Sequence, residues 1–475
     1  AFSAFGIGLV LCLFKPIMAI RMLWWCLDGT LVKLKVSGRH NIPEEGGALL
    51  VCNHESFIDA MALQAALDRE VYFVVGKSLL DSPWLRRCAR CMYIIPVAEY
   101  DEQEIEKTVA VIQDKIASGQ LVCINRSKSF AKNGTSLPWY ADYHLLTAES
   151  GAPIIPLAIS RLWELLYVWR NGTFSWRLPN TLPHPVHICC GEAVAEDSTG
   201  YQARQAIQRV SMEGYMRRRY RYQVLQYGFV SVARRFFWRT SMADIMTGKL
   251  NYFKTLVGAI ALARKFKPIL GNTPMVSILM PPTIGGALAN LAVQMMGRVP
   301  VNLNYTASNA IIDDCAKRCE TTHTITSRAF LERVPLTPPG EAVFLEDIKT
   351  SVSGKDRMTA MLMALFVPKF FLFRMLGATP KTEHDIATII FSSGSEGTPK
   401  GVVLTHRNIM TNAEGAREMF PHNKDSCLVG FLPFFHSFGF AITLWTGLLE
   451  GLRTVYHPNP LEPKSIGQLI KKYGG

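Results

Sequence analysis

Ile386-Ala387-Thr388-Ile389-Ile390-Phe391-Ser392-Ser393-Gly394-Ser395-Glu396-Gly397-Thr398-Pro399-Lys400-Gly401 opens as a short apolar run and passes into a turn that concentrates hydroxyls, glycines and a lysine. The β-branched run predicts a buried strand over Ile386 to Phe391. Glycines let backbone amides approach phosphate oxygens, hydroxyls add donors, and Lys400 adds a mobile positive charge. A flexible surface loop is the alternative, but Val402 to Leu404 reads as a second strand, so strands bracket the turn. No Gly-Lys-Ser/Thr follows at the spacing a Walker loop requires.

Together with Val402-Val403-Leu404-Thr405-His406-Arg407-Asn408, the turn resembles the phosphate loop of adenylate-forming enzymes, the acyl-CoA and acyl-carrier-protein synthetases. The resemblance implies ATP binding by Ser392, Ser393, Gly394, Ser395, Gly397, Thr398 and Lys400, with Mg²⁺ as the accompanying ion and its protein ligands unknown. Glu396 stands where many relatives have a small hydroxyl residue. Further on, Leu432-Pro433-Phe434-Phe435-His436-Ser437-Phe438-Gly439-Phe440 resembles the family's aromatic motif, which implies an acyl pocket lined by His436 and Phe438; taken alone, it is also a plain buried aromatic cluster. In that family a carboxylate attacks the α-phosphate of ATP, pyrophosphate leaves, and a thiol takes the acyl group. The family's downstream Tyr-Gly-x-Thr-Glu segment, ribose-binding Asp, hinge and terminal Lys have no counterpart before Gly475. Residues 241–475 are therefore read as a ligase domain truncated on its C-terminal side.

Upstream, compact apolar runs alternate with a helical pattern: Ala48 to Cys52, Val71 to Val75, Tyr93 to Val97, Leu121 to Ile124 and Ile154 to Ile159, with a helix from Glu102 to Ala117. That alternation predicts an α/β domain. In Asn53-His54-Glu55-Ser56-Phe57-Ile58-Asp59, His54 follows a strand and Asp59 falls in the first turns of the next helix, a placement that can pair them. An imidazole held by a carboxylate is a better base for an alcohol attacking a thioester. A His and an Asp five apart also fit a purely structural histidine. The order of strand, Asn-His-x-Ser-x-x-Asp and helix resembles the first motif of the glycerophospholipid acyltransferases, and so do Ala152 to Ile159 and Ile94 to Val97 for later strands. The resemblance covers about Val36 to Val194 and implies that His54 is the catalytic base and Asp59 orients it. Where the family has Phe-Pro-Glu-Gly and a basic residue, this chain reads Asn125-Arg126-Ser127-Lys128-Ser129. Arg126 and Lys128 are the remaining candidates for gripping the acceptor's phosphate.

A chain of 475 residues exceeds what one core supports, so two domains are expected, with 36–200 as the acyltransferase and 241–475 as the ligase. Between them, 201–240 reads as a basic connector, with Arg217, Arg218, Arg219, Arg221, Arg234, Arg235 and Arg239 interleaved with aromatics. The net charge of +13 suits phosphorylated substrates or an anionic surface, and no nucleic-acid partner is expected. Eleven cysteines without a scaffold rhythm predict a reducing compartment. Residues 1–35 are apolar and read as a membrane-associated segment, which would put the protein at the bacterial inner membrane with its catalytic domains cytoplasmic.

The fold class expected is α/β throughout: an acyltransferase-type domain followed by the N-terminal part of an adenylate-forming ligase. The two resemblances in this order are similar to the bacterial bifunctional acyltransferase/acyl-acyl-carrier-protein synthetases. That similarity implies activation of a fatty acid onto acyl carrier protein and transfer to a lysophospholipid, 2-acylglycerophosphoethanolamine, at a membrane surface. The alternatives are an acyl-CoA-dependent acyltransferase on lysophosphatidic acid fused to a fatty-acyl-CoA ligase, and a membrane-bound scaffold whose sites have decayed. Acyl chain length, thiol carrier, acceptor headgroup and oligomeric state are not legible in these residues.

Overall fold

Ala48–Cys52 is apolar at every position and fully buried, the pattern of a strand covered on both faces in the middle of a sheet. The computed structural model describes residues 16–53, 57–77, 92–97, 102–125, 151–160, 167–170, 173–176, 183–194, 200–216, 224–392, 399–419 and 426–473. The chain divides into two units, Ala1–Arg218 and Arg219–Gly475.

In the first unit seven strands, β1 (Val32–Ser37), β2 (Ala48–Cys52), β3 (Val71–Gly76), β4 (Ile94–Val97), β5 (Leu121–Asn125), β6 (Ile154–Ser160) and β9 (His184–Cys190), form a sheet in the order β1-β9-β6-β2-β5-β3-β4, while β7 (Tyr167–Arg170) and β8 (Thr173–Trp176) make a separate hairpin. All neighbours in the large sheet are parallel except β6 and β9. One apolar cluster, including Leu50, Leu63, Phe73 and Trp24, fills one face, and another, including Leu49, Ile112 and Ile116, fills the other.

The helix Pro16–Leu27 corrects the expectation of a membrane-associated segment over 1–35. Ile17, Ile20 and Trp24 are buried, and the helix packs against the helix Phe57–Ala66. Arg21 donates to the carbonyls of Gln64, Leu67, Asp68 and Arg69, serving the orphan carbonyls at that neighbour's C-terminus. At 12 residues the helix is about 18 Å long, well short of a hydrocarbon core of about 30 Å. Among the described residues no helix is long and apolar enough to cross a membrane, which removes the basis for the inner-membrane location expected from sequence.

The stretch read as a basic connector is shared between the units. The helix Gly200–Met216 packs on β6 and β9, with Ile207 and Val210 buried. The helix Leu225–Arg235 enters the core of the second unit.

In that second unit, β12 (Met275–Ile278), β13 (Val299–Asn302), β14 (His323–Thr326), β15 (Glu341–Phe344), β16 (Ile386–Ser392) and β17 (Lys400–Thr405) form a sheet in the order β15-β14-β12-β13-β16-β17, parallel but for β17. A smaller sheet holds β10 (Thr240–Asp244), β11 (Gly248–Asn251), β18 (Cys427–Gly430) and β19 (Arg453–Tyr456) in the order β11-β10-β19-β18. Asp244, buried at the end of β10, accepts the Ile284 amide at 2.9 Å and so joins that strand to the start of the helix Ile284–Met295. The same helix carries two buried amides toward the larger sheet. Asn290 and Asn302 exchange reciprocal hydrogen bonds of 3.0 and 2.8 Å, and Gln294 donates to the carbonyl of Ala387 on β16.

Asn290→Ala should lower stability by about 1–3 kcal/mol, because it strands the buried Asn302 amide. The check is a urea titration read by a probe in the second unit, and an unshifted midpoint would count against this role of the amide pair.

Candidate active sites

β16 and β17 pair antiparallel, with Phe391 opposite Gly401 and Ser392 opposite Lys400. Seven residues link those two positions, of which the six from Ser393 to Thr398 lie outside the described residues, so of the seven ATP-binding candidates only Ser392 and Lys400 are placed. Ser392 Oγ lies 3.5 Å from the Lys400 carbonyl oxygen. Arg318, from the helix Asn309–Arg318, donates to the carbonyl of Pro399 at 2.6 Å and sits over the Phe391 ring, 5.6 Å from its centroid. One side chain thus braces both arms of the hairpin.

The far end of β17 is clamped as well. Asn408 Oδ1 accepts from the Thr405 amide and hydroxyl at 2.9 and 2.8 Å, which caps the helix His406–Met419. Arg407 pairs with Glu383 at 2.7 Å. His406 is 2% exposed, and its Nδ1 lies 3.5 Å from the Leu225 amide, which donates to it. Burial pushes the imidazole down to about 4, against the pull of Asp385 and with the help of Lys381. His406 is therefore neutral at pH 7 and belongs to the framework.

The aromatic segment comes to the same edge of the large sheet. β13 runs parallel to β16, with Val301 opposite Ile389, so Tyr305 beyond β13 and Ser392 at the end of β16 both lie past the carboxyl ends of parallel strands, where open α/β sheets bind ligands. The Tyr305 ring meets Phe435 edge-on at 4.9 Å and Phe330 at 5.4 Å. Its hydroxyl is buried with no hydrogen-bond partner among the described residues, and burial pushes its pKa up. Phe434 is fully buried against Tyr456. His436 Nδ1 accepts the Phe438 amide at 3.2 Å, while the Phe438 ring is 51% exposed. Gly439 is required here: a Cβ would lie 2.0 Å from the Pro433 carbonyl oxygen. It opens the π-helix Gly439–Thr446, a geometry frequent at functional sites. No group of three His, Cys, Asp or Glu suited to a metal occurs among the described residues. Bound Mg²⁺ of this kind is often held largely by substrate phosphates and water.

In the first unit β2 pairs with β5 and β6, with Cys52 opposite Asn125 and Leu157. The carboxyl ends of β2 and β5, from which the two expected motifs depart, are therefore neighbours. Asn53 fixes this edge: its Oδ1 accepts the Ile159 amide at 2.7 Å and its Nδ2 donates to the Ile159 carbonyl at 3.2 Å. Asp59 is 4% exposed in the first turn of its helix. His54, Arg126 and Lys128 lie outside the described residues. The bracing roles of Arg318, Glu383 and Asn53 carry no local sequence signal, since each partner is remote along the chain.

With this geometry in place, the AMP-binding enzyme family model matches residues 245–474 and the acyltransferase family model matches residues 33–160. The chain joins an acyltransferase domain to an AMP-forming acid–thiol ligase domain, the latter of a class that uses ATP with Mg²⁺. Over 91 residues it is 41% identical to a probable 4-coumarate–CoA ligase 3 of Dictyostelium discoideum, covering 19% of this chain and 16% of that protein. Over 88 residues it is 35% identical to a long-chain-fatty-acid–CoA ligase of Bacillus subtilis, covering 18% of this chain and 16% of that protein. A fatty acyl-adenylate ligase from L. pneumophila, solved with acyl adenylate and pyrophosphate, is 18% identical over 54% of this chain and 44% of its own, with a TM-score of 0.44, too low to place residues by superposition. The chain spans less than half the length of each. The two curated relatives are named for CoA, which overturns the expectation of acyl carrier protein as thiol carrier, and with it the acyl-carrier-protein-dependent acylation of 2-acylglycerophosphoethanolamine.

Because His406 is held near 4 in the fold and titrates near 6.5 when unfolded, the unfolded chain takes up the proton first as pH falls. Its contribution is intact above pH 6.5 and is lost between 6.5 and 4, on the order of 3 kcal/mol. Unfolding titrations across that window should show this slope, and His406→Gln should flatten it. An unchanged slope in the variant would place the titration elsewhere.

Proposed function

We propose that the second unit activates a fatty acid with ATP to an acyl-adenylate and then to an acyl-CoA thioester, and that the first unit passes the acyl group to a lysophosphatidic-acid-type hydroxyl. The observation that carries the ligase half is the Ser392–Lys400 register. It closes a glycine- and hydroxyl-rich seven-residue link at the carboxyl edge of a parallel sheet, the edge past which Tyr305, in contact with Phe435, also lies.

ATP with Mg²⁺ supplies the activated α-phosphate for the carboxylate. In this reading the Lys400 ammonium and the hydroxyls of Ser392, Ser393, Ser395 and Thr398 hold phosphate oxygens, while Gly394 and Gly397 let the backbone approach them. Tyr305 adds a buried donor at the same edge that has no partner among the described residues. His436 and Phe438 line the acyl side, and the Phe438 amide bond to His436 Nδ1 orients the imidazole. In the first unit His54 takes the acceptor's proton as its oxygen attacks the thioester, Asp59 orients His54, and Arg126 and Lys128 hold the acceptor's phosphate.

Fatty-acid-dependent ATP/pyrophosphate exchange tests the first step. Lys400→Ala should lower exchange by about 10²-fold, in the range seen when one preorganised charge-stabilising group is removed. Exchange indifferent to Lys400, or absent with every fatty acid tried, would contradict the ligase assignment. For the second step, transfer from oleoyl-CoA to lysophosphatidate should be lost in His54→Ala, and retention of product would remove His54 from the chemistry.

A further inference from the structure

Two consecutive helices of the second unit, Gly354–Phe366 and Lys369–Met375, carry their larger apolar side chains outward. In the first, Met358, Leu362, Leu365 and Phe366 follow the spacing of one helix face, and all four are exposed, Phe366 at 74%. Its buried side holds Ala360, Met363 and Ala364, and the helix packs on the helix Tyr252–Leu270. In the second, Leu372 and Phe373 turn inward, with Phe373 meeting Tyr227 edge-on at 4.5 Å. Phe370, Phe371 and Met375 are each more than half exposed, and the two phenyl rings lie 5.5 Å apart. Only Val367 and Pro368 separate the helices, so the two exposed faces adjoin. A surface helix ordinarily does the reverse, and an apolar patch of this kind marks a contact surface.

The display stands on a fixed backbone. Ser353 and Asp356 form a capping box at the start of the first helix. Arg234 donates to the carbonyls of Met363, Ala364 and Val367 at 3.3, 2.9 and 2.6 Å, closing its C-terminus. Lys369 donates to Ser231 at 2.7 Å and Lys267 to the Met375 carbonyl at 3.1 Å, which fasten the second helix.

Charge around the patch has one sign. The helices Leu225–Arg235, Tyr252–Leu270, Gly354–Phe366 and Lys369–Met375 contain no acidic residue but Asp356, which is held by Lys265 at 2.8 Å and by its own cap. Glu346 and Asp347, on the preceding helix Leu345–Ser351, are taken by Ser327 and Arg328. Lys355, Arg357 and Arg374 are exposed. Lys355 stands one turn before Met358, and Arg374 one turn after Phe370 and Phe371, so the cations border the apolar faces.

We infer that this helix pair is a docking surface for an anionic lipid bilayer, with Phe366, Phe370 and Phe371 entering at headgroup level and Lys355, Arg357 and Arg374 meeting lipid phosphates. Apolar tips alone would suit any apolar partner; the basic border selects a negative one. A second copy docked about a two-fold axis would set one basic border against another. A dissolved small molecule is not enclosed by side chains more than half exposed, since such sites bury most of their ligand. The contact is one-sided: helices of 13 and 7 residues are about 20 and 10 Å long, short of a hydrocarbon core of about 30 Å. It involves neither residues 1–35 nor the ligase and acyl-transfer chemistry proposed above.

The test is flotation of the full chain with vesicles made of equal parts phosphatidylglycerol and phosphatidylcholine at about 0.1 M salt. Binding is expected, and should weaken by about tenfold or more on pure phosphatidylcholine vesicles or at about 0.5 M salt. Phe366→Ser/Phe370→Ser/Phe371→Ser should lower the partition coefficient about tenfold or more, and Arg357→Gln/Arg374→Gln should lower it by a similar factor and flatten its salt dependence. All these side chains are exposed, so the urea midpoint of each variant should stay in place; if the triple variant fails to fold, the arginine pair decides. No binding, equal binding to neutral vesicles, or binding indifferent to either folded variant would overturn the inference. So would a lipid-free dimer that the triple variant dissolves, which would give this face to a second copy.

Discussion

Two side-chain amides, Asn290 and Asn302, are buried in the core of the second unit and satisfy one another. Leaving such a group unpaired in an apolar interior costs roughly 2–7 kcal/mol by transfer scales, so the pair admits one register of the helix Ile284–Met295 against β13. One turn later Gln294 ties the same helix to β16. With β13 and β16 fixed side by side, Tyr305 and Ser392 emerge at one edge, and the aromatic segment reaches that edge through the contact of Phe435 with Tyr305. The site is placed by polar constraints inside an otherwise apolar core, which determine where the strand ends fall more sharply than nondirectional apolar packing does.

The first unit uses a different device for the same purpose. Its central strands are apolar on both faces, which sets their depth in the sheet, and Asn53 then bonds both backbone groups of Ile159 to align the carboxyl ends of β2 and β6. His54 and Asp59 follow that fixed point immediately in sequence.

Elements whose chemistry is local were legible in the sequence. Ala48 to Cys52 and Ile386 to Phe391 announced buried strands by composition, and Glu102 to Ala117 announced a helix by its period. The helices Gly354–Phe366 and Lys369–Met375 were not read, because exposed Phe366, Phe370 and Phe371 beside buried Leu372 and Phe373 blur any apolar stripe. The short strands β10 and β11 are too brief to carry a pattern. The apolar lead misled for a related reason: by composition a core helix and an interfacial one look alike, and the distinguishing feature is Arg21, whose carbonyl partners lie more than 40 residues away. The candidate loop was visible as a motif, yet its braces at Arg318 and Glu383 depend on contacts that only folding creates. CoA against carrier protein is written in neither set of residues.

The linked function is tested most directly by supplying the protein with a free fatty acid, ATP, CoA and lysophosphatidate and measuring AMP and phosphatidate together. The expected result is equimolar AMP and phosphatidate that require CoA, both lost in Lys400→Ala, with preformed acyl-CoA restoring phosphatidate without AMP. Phosphatidate formed from free acid in the Lys400→Ala variant, or AMP released with no acyl transfer under any donor, would contradict it.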